Sequence, residues 1–141
     1  MVTREVQRET VDAGLAGGYP DAVEIQARIQ AGRIAVREAP QLSAPFEEVL
    51  DLYGLQEGDK AVTRLAVQAS DVGATVTDDR LLYVVLQRCG RQACFLPDFI
   101  ERAVAGGRLE TATAQRLLLA VRPRLASGFV EHSLRRLEGV I

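Results

Sequence analysis

Apolar residues recur along this chain at intervals of three and four, interrupted by glycine and proline, and in a few places the interval falls to two. The stretch Thr3 to Ala13 predicts a helix with Thr3 as its N-cap, with Val6, Thr10 and Ala13 on one face and Gly17-Gly18 as its end. Pro20 opens a second helix over Asp21 to Ala31, with Ala22, Ile25 and Ile29 turned inward and Gly32 as its stop. Arg33-Ile34-Ala35-Val36-Arg37 alternates polar and apolar, the period of a half-buried strand. Beyond a loop bounded by Pro40 and Pro45 come a short helix around Phe46 to Leu52 and a strong one over Asp59 to Ser70. The strong helix carries Val62, Leu65, Ala66 and Ala69 on one side. Ala74 to Thr77 and Gln92 to Leu96 read as strands, with a helix over Arg80 to Arg88 between them and Gly90 as its cap. Pro97 starts a further helix with Phe99, Ile100 and Val104 inward, and Thr111 to Val121 and Phe129 to Leu137 are helical.

Strands alternating with helices predict an α/β protein with a short parallel sheet covered by helices. Three short strands are few for so many helices to cover. The chain also opens directly in a helix, where an α/β domain usually opens in a buried strand.

Composition narrows the class. A chain of 141 residues is one domain on the usual scale, and 48% hydrophobic with 26% charged residues excludes a disordered chain. No run approaches the roughly 18 apolar residues of a membrane span. The first thirty residues, dense in Arg and Glu, hold no apolar h-region, so the expected compartment is the cytoplasm. Net charge is −2, but it is unevenly spread: residues 1–79 hold 7 basic and 14 acidic side chains, residues 80–141 hold 10 arginines and 5 acids. An acidic pole suits a divalent metal and a basic pole a polyanion; two solvated helix faces would give the same skew. Cys89, Cys94 and the single His132 cannot complete a tetrahedral zinc site, so the cysteines are expected as core thiols and His132 as a surface or helix-packing residue. There is no P-loop, GxGxxG or HExxH, and no serine in a nucleophile-elbow context. Seven aromatics without Trp, none interleaved with basic residues, give no base-stacking signature.

The candidate chemistry is acidic. Asp78 and Asp79 follow the strand ending at Thr77, at the carboxyl edge where ligands of parallel sheets bind. Adjacent carboxylates there serve a hard cation, or one of them caps the next helix while its neighbour faces water. Glu57 and Asp59 start the helix that leads into that strand, which puts them near the same edge. Glu5, Glu9 and Asp12 form a third acidic group, on the first helix.

These residues carry a resemblance. Leu55-Gln56-Glu57-Gly58-Asp59-Lys60-Ala61-Val62, followed by Gly73-Ala74-Thr75-Val76-Thr77-Asp78-Asp79-Arg80, resembles the second half of a PIN domain, the nuclease fold of VapC-type toxins and PilT N-terminus proteins. Val2-Thr3-Arg4-Glu5-Val6-Gln7-Arg8-Glu9 is similar to that family's passage from a strand into a glutamate-bearing helix. The resemblance spans roughly Val2 to Leu96. It implies a PIN-like three-layer sandwich in a single domain over 1–141, with an α/β part over 1–96 and a helical, Arg-rich tail over 97–141. It further implies Mg²⁺- or Mn²⁺-dependent hydrolysis of RNA. Carried over by position, Glu9 (or Glu5), Asp59 (or Glu57) and Asp79 would be catalytic. Asp59, Asp78 and Asp79 would hold the metal, and Arg80 would meet a phosphate oxygen.

The family begins with a strand ending in a metal-ligating aspartate, and no residues here match it; the second strand is cut to its last residue or two. The expected fold is therefore N-terminally incomplete. Two functions follow as expectations: a toxin-like ribonuclease or its remnant, and a non-catalytic PIN-like protein that pairs with an antitoxin-like partner or self-associates as a homo-oligomer.

Overall fold

The computed structural model describes residues Met1–Ile141 and shows an α/β protein. Its elements group into two compact units, Met1–Gly73 with Val84–Arg91, and Ala74–Tyr83 with Gln92–Ile141.

In the first unit, β1 (Val2–Thr3) passes into α1 (Arg4–Gln7), a π-helical turn (Arg8–Asp12) and α2 (Ala13–Ala16), then α3 (Pro20–Gln30). β2 (Val36–Arg37) follows and pairs parallel with β1, Val2 opposite Val36 and Thr3 opposite Arg37. α4 (Ala44–Leu52) and α5 (Glu57–Gln68) complete the unit, with most of α6 (Arg80–Arg88). Thr3 is the N-cap of α1, its hydroxyl accepting from the Val6 amide at 3.3 Å. The inward face, however, is not Val6, Thr10 and Ala13. Thr10 donates its hydroxyl to the Val6 carbonyl at 2.7 Å inside the widened π turn, and the extra residue per turn rotates the following positions by one. Val11 and Gly14 are therefore the buried residues.

The strand expected over 33–37 shortens to Val36–Arg37 for a backbone reason. Gly32 takes φ +69°, and the amides of Arg33 and Ile34 bond back to the Arg28 carbonyl, closing the end of α3. α5 packs against β1 and α1, with Ala61, Leu65 and Ala66 buried. Leu50, Leu55 and Val85 form a core cluster lined by Phe46, Tyr53 and Cys89.

In the second unit, β3 (Thr75–Thr77) crosses through α6 to β4 (Ala93–Phe95), and the two pair parallel with Thr77 opposite Phe95. α7 (Leu96–Ala105), α8 (Thr111–Val121), a 3₁₀ turn (Arg122–Arg124) and α9 (Ser127–Leu137) follow. Ile100, Ala114, Leu118 and Val130 make the core between α7, α8 and α9. Phe99, expected inward, is 49% exposed, because Pro97 and Ile100 take the buried side of α7.

The strand count is four rather than three, and the strands form two separate parallel pairs instead of one sheet. Each pair is a strand–helix–strand crossover, the connection parallel strands require. No helix is long and apolar enough to cross a membrane.

Candidate functional site

One acid of the first unit, Glu9, reaches across nearly fifty positions of sequence to the first turn of α5. Glu9 lies in the π turn, and its carboxylate rests on the first turn of α5. A Cβ placed on Gly58 would stand 2.7 Å from both Glu9 oxygens. Glycine at position 58 is thus what admits the carboxylate, and Asp59 is the next residue. Glu57 stands on the same turn but is committed to Lys60 at 2.9 Å, and Lys60 also holds Asp51 at 2.7 Å. Glu5 is half-buried, and its Oε2 is buried without a hydrogen-bond partner. Its negative charge contributes, with Glu47 and Glu57, to raising the pKa of Arg64. Asp12, the third acid of this helix, is exposed.

In the second unit Asp78 and Asp79 stand exposed at the carboxyl end of β3. Asp79 Oδ1 accepts from the Leu82 amide at 2.8 Å, and the Asp79 amide donates to Thr77 Oγ1 at 3.0 Å. Asp79 is therefore the N-terminal cap of α6, satisfying one of the amides that a helix start leaves without an intrahelical acceptor.

A cavity of about 280 Å³ opens beside it, lined by Asp78, Arg80, Phe95, Pro97, Arg124, Leu125, Ala126 and Phe129. Asp78 and Arg80 follow β3, while Phe95 ends β4 and Pro97 begins α7, so the cavity sits at the carboxyl edge of the β3–β4 pair. Its floor is aromatic. Tyr83 stacks on Phe95 with ring centroids 4.5 Å apart and planes 15° from parallel, and Phe129 leans on the other ring at 5.2 Å and 32°. Ala126, the N-cap of α9, brings no side-chain acceptor to that helix start.

With the geometry in view, comparison with known proteins adds no relative. No family model, curated protein or solved structure matches the chain.

The remaining nucleophiles are quiet. Cys94 is buried and Cys89 half-buried, both as free thiols, and desolvation pushes both above the usual thiol range. Neither is a thiolate at neutral pH. His132 is exposed on α9. No group of three or more His, Cys, Asp or Glu side chains is gathered closely enough to hold a metal ion. Asp78 and Asp79 are adjacent carboxylates, the ligand type that Mg²⁺ or Mn²⁺ takes. Those ions are commonly held by one or two protein carboxylates and complete their shell with water and substrate phosphate.

Phe95, Phe129 and Arg124 carry no short-range signature. They lie up to 34 positions apart in sequence, and only the backbone path through α7, α8 and the 3₁₀ turn brings them to one cavity.

Proposed function

We propose that this chain is a PIN-like protein of the three-layer α/β class and acts as a toxin-like, metal-dependent ribonuclease, or is the remnant of one. The observation that supports this reading is the seat of Glu9 on Gly58. The carboxylate of an acid from the first helix rests on the first turn of α5, where a side chain at position 58 would have to push it aside.

Asp59 would hold the metal of this unit, at the position the resemblance assigns to it. Glu9, open to water, would accept the proton of the attacking water as its oxygen bonds to phosphorus, while the P–O bond to the ribose oxygen breaks and that oxygen takes a proton from solvent. When bound, Mg²⁺ or Mn²⁺ neutralises charge on the phosphodiester and makes its water more acidic. The second unit, taken by itself, offers the carboxylates of Asp78 and Asp79 to a cation and the Arg80 guanidinium to a phosphate oxygen.

The test is calorimetric titration with Mn²⁺, alongside cleavage of single-stranded RNA in Mg²⁺ and in EDTA. Wild type binds and cleaves. Asp59→Asn and Asp79→Asn each weaken Mn²⁺ binding by about tenfold or more. Asparagine caps as well as aspartate, so the second variant keeps its helix start while losing charge. Gly58→Ala, whose methyl displaces the Glu9 carboxylate, lowers cleavage while leaving thermal stability intact. Absence of any Mn²⁺ binding by wild type sinks the reading.

A second reading, a non-catalytic partner-binding protein, is favoured by the sheets. Each strand has a single strand neighbour. Leu81, Val84, Leu117 and Leu119 stand 42–50% exposed. Open edges and exposed apolar side chains favour association with an antitoxin-like chain or a second copy. Sedimentation at micromolar concentration separates the two: a homo-oligomer supports this reading and a well-folded monomer counts against self-association.

A further inference from the structure

We infer that the cavity at the carboxyl edge of β3 and β4 is a pocket for one unpaired nucleotide of single-stranded RNA, its base stacked on Phe129 and its phosphodiester held by Arg80 and Arg124. This deepens the ribonuclease reading by naming what the second unit takes, and for its catalytic consequence it rests on that reading.

Three observations converge on the pocket. The first is the ring ladder Tyr83–Phe95–Phe129. Its inner two rings lie nearly parallel at 4.5 Å, and Phe129 at its outer end is 49% exposed. A base added to Phe129 extends a stack that is already ordered, so little side-chain freedom is lost on binding. The second is charge. Arg80 and Arg124 against Asp78 leave the lining with one net positive charge, which matches the single negative charge of a phosphodiester. The third is size. About 280 Å³ lies at the small end of ligand sites, room for one nucleotide and not for a base pair.

A duplex keeps its bases stacked on one another and offers no free face, whereas single strands bind by stacking on aromatic side chains with arginines along the backbone.

The experiment is fluorescence anisotropy with a 5′-fluorescein octaribonucleotide of A and U, single-stranded and as its duplex, in EDTA so that no cleavage intervenes. Wild type binds the single strand more tightly than the duplex. Phe129→Ala and Arg124→Gln each weaken it by about tenfold, and Phe129→Tyr retains it. Phe99→Ala, an equally exposed phenylalanine on α7 outside the lining, binds as wild type. Equal affinity of wild type and Phe129→Ala, or of single strand and duplex, overturns the pocket.

Should Phe129→Ala fail to fold, 4-thiouridine RNA is cross-linked to wild type and the adduct mapped by mass spectrometry. An adduct on residues 78–80, 95–97 or 124–129 supports the pocket, and adducts confined elsewhere overturn it. Binding retained without any metal-dependent cleavage sinks the ribonuclease reading alone. Cleavage retained with Phe129→Ala binding as wild type sinks the pocket alone.

Discussion

Glu47 and Arg64 show how a single pair ties two helices of the first unit. Arg64 donates to both Glu47 oxygens at 2.7–3.0 Å, with the side chains only 17% and 23% exposed, and Glu47 also accepts from the Leu42 amide at 2.9 Å. The Arg64 hydrogen bonds, then the Leu42 amide, hold the Glu47 carboxyl below its ordinary range. A lowered carboxyl pKa in the folded state stabilises at pH values above the unfolded pKa, and that contribution disappears as pH falls through the folded one. Glu47→Gln is therefore expected to lose about 1–2 kcal/mol at pH 7, a typical net value for charge-assisted hydrogen bonds. As pH falls through the lowered folded pKa and the wild-type carboxyl takes up its proton, the two proteins should converge. Urea denaturation across pH measures both limits. None of this was visible in sequence, where Glu47 and Arg64 are ordinary charged positions seventeen apart; only the approach of α4 to α5 makes them partners.

At the scale of elements, the approach of α2 to α3 depends on Gly14. A Cβ there would stand 2.7 Å from the Ala22 Cβ, which has no flexible end to yield. Both positions are buried. Gly14→Ala would ordinarily gain about 1 kcal/mol of helix propensity. In this contact overpacking outweighs that gain, and a net loss of about 1–2 kcal/mol is expected by thermal unfolding. Ala22→Gly in the same chain should restore part of it, the signature of a direct contact. Helix existence was legible from periodicity and caps: Thr3 at α1, Pro20 at α3 and Gly90 after α6 all act where the sequence puts them. The face of the first helix was not. Periodicity assumes about 3.6 residues per turn, and the π turn at Arg8–Asp12 breaks that assumption. Periodicity also missed β1, because two residues show no alternation; only the resemblance put a strand end there, and pairing with β2 makes it one.

For the whole molecule, the charge skew becomes a statement about salt. If RNA binding uses Arg80 and Arg124, affinity falls with the logarithm of salt concentration at a slope near 0.7 per phosphate contacted. Arg80→Gln should then lower that slope by about 0.7, read from anisotropy titrations at several salt concentrations. The sequence by itself determined the α/β class, the helices and their caps, and the acids at the start of α5 and after β3. Each of these is a local property, written in spacing and in the residues that begin or stop an element. Only the tertiary structure decided that Glu9 rests on Gly58, that four strands make two parallel pairs, and that Phe95, Phe129, Arg80 and Arg124 line one cavity. Such contacts join positions tens of residues apart, and side-chain spacing along a chain does not encode which distant turn of backbone will arrive beside it.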